Sequence, residues 1–219
     1  MLKRLFCLFV ALITAAPVWA ADPVYEVEII AFTRTVDPAM SGGEDASLSA
    51  HRPDLDSGFS LDMLGGLPID NLKLGNVVAR LKADQNYQVL LHQAWRQPVG
   101  TSATAPWLQL SAGSVTDESG NSQPEFAGLV KLYRNPYLFM DADLLLRRLG
   151  MSKPTTASQT QYAGSADVSA AQATVEASAA PAPTIKEYPL VSSNRVMEGQ
   201  ITYFDGPMLG LLVQARPVK

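Results

Sequence analysis

Apolar and polar residues alternate along much of the chain, a pattern typical of β-strands that bury one face. The first run begins at Tyr25, where Val27 and Ile29 alternate with Glu26 and Glu28. Strands are predicted over residues 25–31, 87–97, 107–110, 126–133, 138–146, 188–192, 197–204 and 208–216. Asn135-Pro136 separates two of these runs, which predicts a hairpin or a bent strand pair.

One segment instead has the spacing of an amphipathic helix. Asp70 or Asn71 is predicted to be its N-cap, and residues 84–86 close it. Its apolar positions are Leu72, Leu74, Val77, Val78 and Leu81. Together the elements predict an α+β fold, a mainly antiparallel β-sheet or partly closed barrel with one covering helix and long flexible loops.

Two stretches lack apolar periodicity. A disordered loop is predicted near residues 35–59, which contain Pro, Gly-Gly and several acids. A low-complexity insertion is predicted near residues 151–184, which are rich in Ser, Thr, Ala, Gln and Pro; a helix over 166–180 is the alternative. The part after Thr184 is too short to fold alone, so we predict a single domain over residues 21–219.

The N-terminal segment resembles a secretory signal peptide. Lys3 and Arg4 precede an apolar run over residues 5–16, and Ala20 is the small residue before the predicted cleavage point. A membrane anchor is the alternative, but the run is shorter than the roughly 20 residues needed to cross a bilayer. Cleavage would leave 219 − 20 = 199 residues with a side-chain charge of −6, because Lys3 and Arg4 are lost from a chain of charge −4.

Composition excludes several classes of protein. The net charge of −4 and the lack of a Lys/Arg cluster argue against nucleic-acid binding. The chain has one cysteine, Cys7, which lies inside the predicted signal, and two histidines. We therefore predict no disulfide framework, no metal site and no cofactor. Beyond the signal, no apolar stretch is long enough to span a membrane.

The sequence contains none of the common local motifs of hydrolases or nucleotide-binding enzymes. Paired carboxylates are the remaining route to catalysis. Glu26 with Glu28 and Asp141 with Asp143 share strand faces, at a spacing compatible with glycosidase chemistry. Solvated acids on an outer face explain the same pattern, and we predict no catalytic residue.

The most unusual local sequence lies in the predicted strand over residues 87–97. It brings His92, Gln93, Trp95, Arg96 and Gln97 together within six positions. Trp95 is predicted on the face shared by residues 87, 89 and 91, where it is a core aromatic or, alternatively, a platform for a sugar. Arg96 and His92 lie on the opposite face, freer to meet a partner.

Three further aromatic residues complete the candidate binding residues: Tyr137, Phe139 and Tyr203. If these three residues and Trp95 are exposed in one contiguous row, they support a glycan-binding surface, whereas uniform burial favours protein contacts.

Four blocks of the sequence, in this order, resemble the CsiV family of cell-shape proteins: residues 25–32, 87–98, 128–146 and 203–213. The resemblance implies a periplasmic, non-catalytic peptidoglycan-binding protein. It also implies that the protein assists a class A penicillin-binding protein through the outer-membrane lipoprotein that activates that enzyme. Two alternatives stay open: a peptidoglycan hydrolase or transferase that uses a carboxylate pair, and a structural envelope adaptor without glycan affinity.

Overall fold

A computed structural model describes residues 22–35, 51–64, 71–151 and 183–218. The predicted signal peptide, residues 36–50 of the predicted loop and most of the predicted insertion lie outside the described residues. Helix α1 spans Gly75–Ala83, and two short 3-10 turns span Leu55–Ser57 and Leu61–Leu64. The strands are β1 (Val24–Arg34), β2 (Phe59–Ser60), β3 (Tyr87–Pro98), β4 (Leu108–Ala112), β5 (Val115–Thr116), β6 (Ser122–Gln123), β7 (Phe126–Asn135), β8 (Tyr137–Met151), β9 (Pro183–Arg195), β10 (Ile201–Asp205) and β11 (Leu209–Pro217).

The long strands form two sheets. Sheet 1 has the order β10-β11-β1-β3, and every neighbouring pair in it is antiparallel. Sheet 2 has the order β2-β4-β7-β8-β9 and is antiparallel except for the short β2–β4 pair. Strands β5 and β6 form a separate two-stranded ribbon.

The two sheets pack face to face around the main core. Ile29 on β1 and Trp95 on β3 lie in the same buried cluster as Val130 on β7 and Leu144 on β8. This arrangement confirms the mainly antiparallel sheet but not the barrel. In the part of the chain that the structure describes, the strands form open sheets stacked as a sandwich, so the partly closed barrel is wrong.

Helix α1 covers the outer face of sheet 1. Ile30 and Phe32 from β1 form a second buried cluster with Leu74 at the start of the helix. The predicted helix exists, but it begins at Gly75, with Leu74 as its N-cap and no side-chain cap from Asn71, and the alternative cap Asp70 lies outside the described residues. The backbone N–H groups of Lys73 and Leu74 instead donate to the Glu28 carboxylate, which reaches them from β1.

A β-bulge changes which face the start of β3 presents. The register between β1 and β3 shifts at Ala31/Phe32, so that Leu91 pairs with Ala31 but Val89 pairs with Phe32. An extra residue in one strand reverses the faces beyond it. Tyr87 and Val89 consequently pack under helix α1 and not on the Trp95 face, which corrects the sequence-based prediction.

Strands β8 and β9 extend further than their apolar alternation predicts. They pair from Phe139 opposite Arg195 to Met151 opposite Pro183, so both ends of the predicted low-complexity insertion begin as strand. Pairing between neighbouring strands supplies the hydrogen bonds here, and the residue types alone do not reveal it.

Candidate functional site

The outer face of sheet 2 carries a cluster of half-buried aromatic and charged side chains. We call it the aromatic face and define it by Trp107, Lys131, Tyr133, Phe139 and Asp141. Alternation places Lys131 and Tyr133 of β7 on this face, because Val130 and Leu132 point into the core. Phe139 and Asp141 of β8 lie on it for the same reason, since Met140 and Ala142 are core residues.

The register of the β7–β8 hairpin brings these side chains into contact. Tyr133 lies opposite Phe139, and their rings are stacked with centroids 5.8 Å apart. Lys131 lies opposite Asp141, with 3.5 Å between Nζ and Oδ2. The Lys131 ammonium also lies 4.6 Å from the centroid of the Trp107 ring. The cluster thus offers ring faces beside polar groups, the combination that sugars require.

Both aspartates of the predicted carboxylate pair on β8 have partners. Asp141 accepts hydrogen bonds from Ser193 at 2.6 Å and from the Tyr133 hydroxyl at 3.2 Å. Asp143 Oδ1 lies 2.8 Å from Nε2 of His51. His51 belongs to the described segment over residues 51–64, which crosses this face beside Leu129. Their contacts position the neighbouring aromatic and hydroxyl groups.

A pocket of about 310 Å³ adjoins the aromatic face at the turn between β7 and β8. We call it the Arg195 pocket. Tyr137 contributes to it and is 53% exposed, and the Arg195 guanidinium carbon lies 3.7 Å from the centroid of the Tyr137 ring. The pocket is lined by Arg134, Tyr137, Leu138, Arg195, Val196, Met197 and Glu198.

A network of charges lies on the outer face of sheet 1. Glu28 is fully buried, with His92 Nε2 2.9 Å from its Oε1 and Arg216 donating to its Oε2 at 3.0 Å. Arg216 also pairs with Glu26 at 2.8 Å, and Arg96 pairs with Glu26 at 3.1 Å. His92 and Arg96 are therefore engaged within the protein.

The pKa of the Glu28 carboxyl is lowered. Burial alone would raise this pKa, but the hydrogen bonds from Leu74, His92, Lys73 and Arg216 outweigh burial and stabilise the carboxylate. A general acid needs the opposite shift, toward neutral pH. The Glu26–Glu28 pair thus belongs to a charge network with Arg216, and the shift at Glu28 does not suit a general acid.

The other predicted residues of β3 lie in different environments. Trp95 is 0% exposed and its indole N–H donates to Gln97 Oε1 at 2.6 Å. Gln97 is also buried, whereas Gln93 is exposed on β3. A fully buried indole offers no ring face to a sugar. Trp95 is therefore a core aromatic, which is one of the two roles that the sequence suggested for it.

Tyr203 lies on β10 of sheet 1, on the opposite side of the sandwich from the aromatic face. Its ring stacks on Phe32 with centroids 6.2 Å apart, and its hydroxyl donates to Asp205 at 2.7 Å. Arg34 contacts both Tyr203 and Asp205. The structure therefore brings Tyr137 and Phe139 together on β8 but leaves Tyr203 and the β3 residues elsewhere.

Sequence reasoning missed Tyr133, Lys131, Trp107 and Arg195. For Tyr133 and Lys131 a signal existed, because residues equally distant from the turn at Pro136 face each other across the hairpin. For Arg195 no local signal existed, since its partner Phe139 is far away in sequence.

The described residues contain no group of three or more His, Cys, Asp or Glu side chains placed to hold a metal ion. Among the helices described, none is long and apolar enough to cross a membrane.

Comparison with known proteins identifies the family. Neither the curated proteins nor the solved structures gave a match. A family model described as "Peptidoglycan-binding protein, CsiV" matches residues 4–218, which is nearly the whole chain. Since the match includes both sheets, helix α1 and the aromatic face, the chain belongs to the CsiV family of peptidoglycan-binding proteins.

Proposed function

We propose that this protein binds peptidoglycan without catalysis and that the aromatic face holds the glycan strand. The single observation that carries the proposal is the stacked Tyr133–Phe139 pair beside Lys131 and Asp141 on an outer sheet face. Sugar rings present C–H groups to aromatic faces and hydroxyls to charged or amide groups. The family description, peptidoglycan binding, supports the same ligand.

The absence of catalysis is part of this proposal. Asp141 is engaged by Ser193, Tyr133 and Lys131, and the lowered pKa of Glu28 opposes a role as a general acid. Release of soluble fragments from sacculi by the purified protein, abolished by Asp141→Asn, would favour the hydrolase alternative instead.

The location and the protein partner are proposed from the sequence. The predicted signal peptide supports export to the periplasm, where peptidoglycan lies. The family resemblance supports assistance to a class A penicillin-binding protein through its lipoprotein activator. Ile201 and Tyr203 are exposed on edge strand β10, far from the aromatic face, and so leave a second surface for such a partner.

Co-sedimentation of the mature protein with purified sacculi tests the glycan surface. Phe139→Leu keeps an apolar side chain but removes the ring, so we expect affinity to fall about fivefold to tenfold, because an aromatic contact contributes about 1 kcal/mol beyond its buried area. Tyr203→Leu on the opposite sheet is the matched control and should bind as the wild type does.

Two results would contradict the proposal. Loss of binding in Tyr203→Leu, with Phe139→Leu unaffected, would move the glycan surface to sheet 1. Recovery of the wild-type protein only in the supernatant would favour the adaptor without glycan affinity.

A further inference from the structure

The Arg195 pocket has a chemistry that differs from that of the aromatic face. Its floor and walls include the apolar side chains Leu138, Val196 and Met197. Tyr137, two arginines and one glutamate complete the lining, so the pocket carries more positive than negative charge. This local excess is opposite in sign to the net charge of −4 on the chain.

Arg195 is oriented but not neutralised. Its guanidinium carbon lies 3.7 Å from the centre of the exposed Tyr137 ring, and such stacking fixes the plane of the guanidinium. Among the described residues no carboxylate forms an ion pair with Arg195, although most of the other arginines there have one. A stacked guanidinium keeps its N–H edge available for an anion.

Arg134 and Glu198 in the pocket lining are linked to each other and to Tyr25. Arg134 Nη1 donates to the Tyr25 hydroxyl at 3.1 Å, and Arg134 Nη2 lies 3.6 Å from Glu198 Oε1. The Tyr25 hydroxyl donates to Glu198 at 2.5 Å. Burial, followed by the neighbouring Glu198 carboxylate, raises the pKa of Tyr25, so its hydroxyl remains a donor. Glu198 is therefore satisfied by Tyr25 and Arg134 and leaves Arg195 free.

The pocket and the aromatic face are continuous. Arg195 lies directly opposite Phe139 in the β8–β9 register, and Tyr137 is two residues from Phe139 on the same strand. Residues two apart on a strand share a face and lie about 7 Å apart. One ligand with an uncharged ring portion and an attached carboxylate could therefore contact both surfaces at once.

We propose that the Arg195 pocket binds a carboxylate of the peptidoglycan stem peptide while the aromatic face holds the adjoining sugars. This inference rests on the proposed function and names a second part of the ligand. The carboxylate accepts paired hydrogen bonds from the Arg195 guanidinium, the geometry that arginine favours. The exposed Met197 side chain contacts a small aliphatic side chain of the peptide, and glycan without peptide lacks this contact.

Three ligands separate the contributions of the pocket and the face. Intact sacculi carry both parts. Glycan that is stripped of peptide by an amidase and then amidated at the lactyl carboxylates that this cleavage exposes (called stripped sacculi) carries only the sugars, and a soluble stem tripeptide carries only the peptide with its carboxylates. We expect the wild-type protein to bind intact sacculi about tenfold more tightly than stripped sacculi, because a hydrogen-bonded charge pair of this kind changes affinity by about that factor.

Arg195→Met retains a side chain that covers Tyr137 but removes the charge. We expect its affinity for intact sacculi to fall about tenfold, to the level for stripped sacculi, with its affinity for stripped sacculi unchanged. Arg80→Met, at an exposed arginine on helix α1, is the matched control and should match the wild type on both. Arg195 is exposed, so its replacement should leave the melting temperature unchanged.

Three other results would contradict the pocket proposal, the glycan proposal or the assignment of the pocket to peptide. Equal binding of intact and stripped sacculi by the wild type would overturn the pocket proposal and leave the glycan proposal intact. Binding of the tripeptide without binding of stripped sacculi would contradict the glycan proposal only. The tripeptide can also be placed in competition with inorganic phosphate or with anionic phospholipid vesicles at equal concentration of anion. Loss of tripeptide binding in either competition would show a general anion site and overturn the assignment to peptide.

Discussion

Glu28 determines how sheet 1, helix α1 and the C-terminal strand fit together. Its carboxylate accepts hydrogen bonds from the backbone before the helix and from Arg216 on β11, and it contacts His92 on β3. Four elements therefore meet at one fully buried charge. The sequence predicted the strand that carries Glu28 but not this role, because its partners are at least 45 residues away.

Glu28→Gln should lower the free energy of unfolding at pH 7 by about 3–5 kcal/mol, as for other buried ion pairs that lose one partner. Glu118→Gln, at an exposed glutamate in the loop between β5 and β6, should change it little. Urea unfolding followed by circular dichroism measures both values.

The same variant should change how stability depends on pH. The pKa of Glu28 is lower in the folded protein than its ordinary 4.5, so the stabilisation is present above that pH and is lost as the pH falls through the folded-state value. The gap in unfolding free energy between wild type and Glu28→Gln should therefore narrow below pH 4.5. An equal gap at pH 7 and at about pH 3.5 would show that Glu28 contributes through packing and not through its charge.

At the scale of elements, most strands could be predicted because one face of each packs into the core. The alternation of Tyr25, Val27 and Ile29 and the hairpin around Pro136 both appear in the sequence and in the structure. What could not be predicted depends on contacts between strands. The bulge opposite Ala31/Phe32 reverses the face of Tyr87, and the division into two sheets follows from packing between distant segments.

Replacing a glycine by alanine should change the free energy of unfolding in opposite directions at two positions, one in β7 and one in helix α1. A Cβ on Gly128, in the centre of sheet 2, would lie 2.6 Å from the Leu144 Cα and would contact the Asp143 carbonyl oxygen. Gly128→Ala should therefore lower the free energy of unfolding by about 1–3 kcal/mol, because the β8 backbone has to move.

Gly75 begins helix α1, and a Cβ there would contact nothing within 4 Å. Gly75→Ala should raise the free energy of unfolding by about 0.5–1 kcal/mol, because alanine loses less backbone entropy in a helix. Thermal unfolding of the pair gives both signs in one experiment. A stabilising Gly128→Ala would contradict the tight β7–β8 packing.

At the scale of the whole molecule, the charge of the protein opposes its proposed ligand. The chain carries −4, or −6 without the predicted signal, and peptidoglycan carries carboxylates. Attraction between bulk charges therefore does not account for the proposed binding, and local contacts such as those proposed for the aromatic face and Arg195 would have to supply it. This follows from composition together with geometry, since composition alone only excluded nucleic acid.

Binding to sacculi should accordingly depend weakly on salt. Between about 0.05 M and 0.3 M salt, screening weakens the Arg195 contact but also the overall repulsion, so we expect affinity to change less than about threefold. Co-sedimentation over this range measures it, with a basic peptidoglycan-binding protein for comparison. A steep loss would indicate a binding surface dominated by charge.

The long pairing of β8 with β9 also makes the protein suitable for labelling. Because Met151 lies opposite Pro183, the chain leaves and re-enters sheet 2 at one point, about 40 Å along the strand from Phe139 at about 3.3 Å per residue. A two-residue turn can close such a hairpin, and a fluorescent protein inserted there would have both its ends attached side by side. Such a fusion would report where the protein is located in the cell while its aromatic face and the Arg195 pocket remain unobstructed.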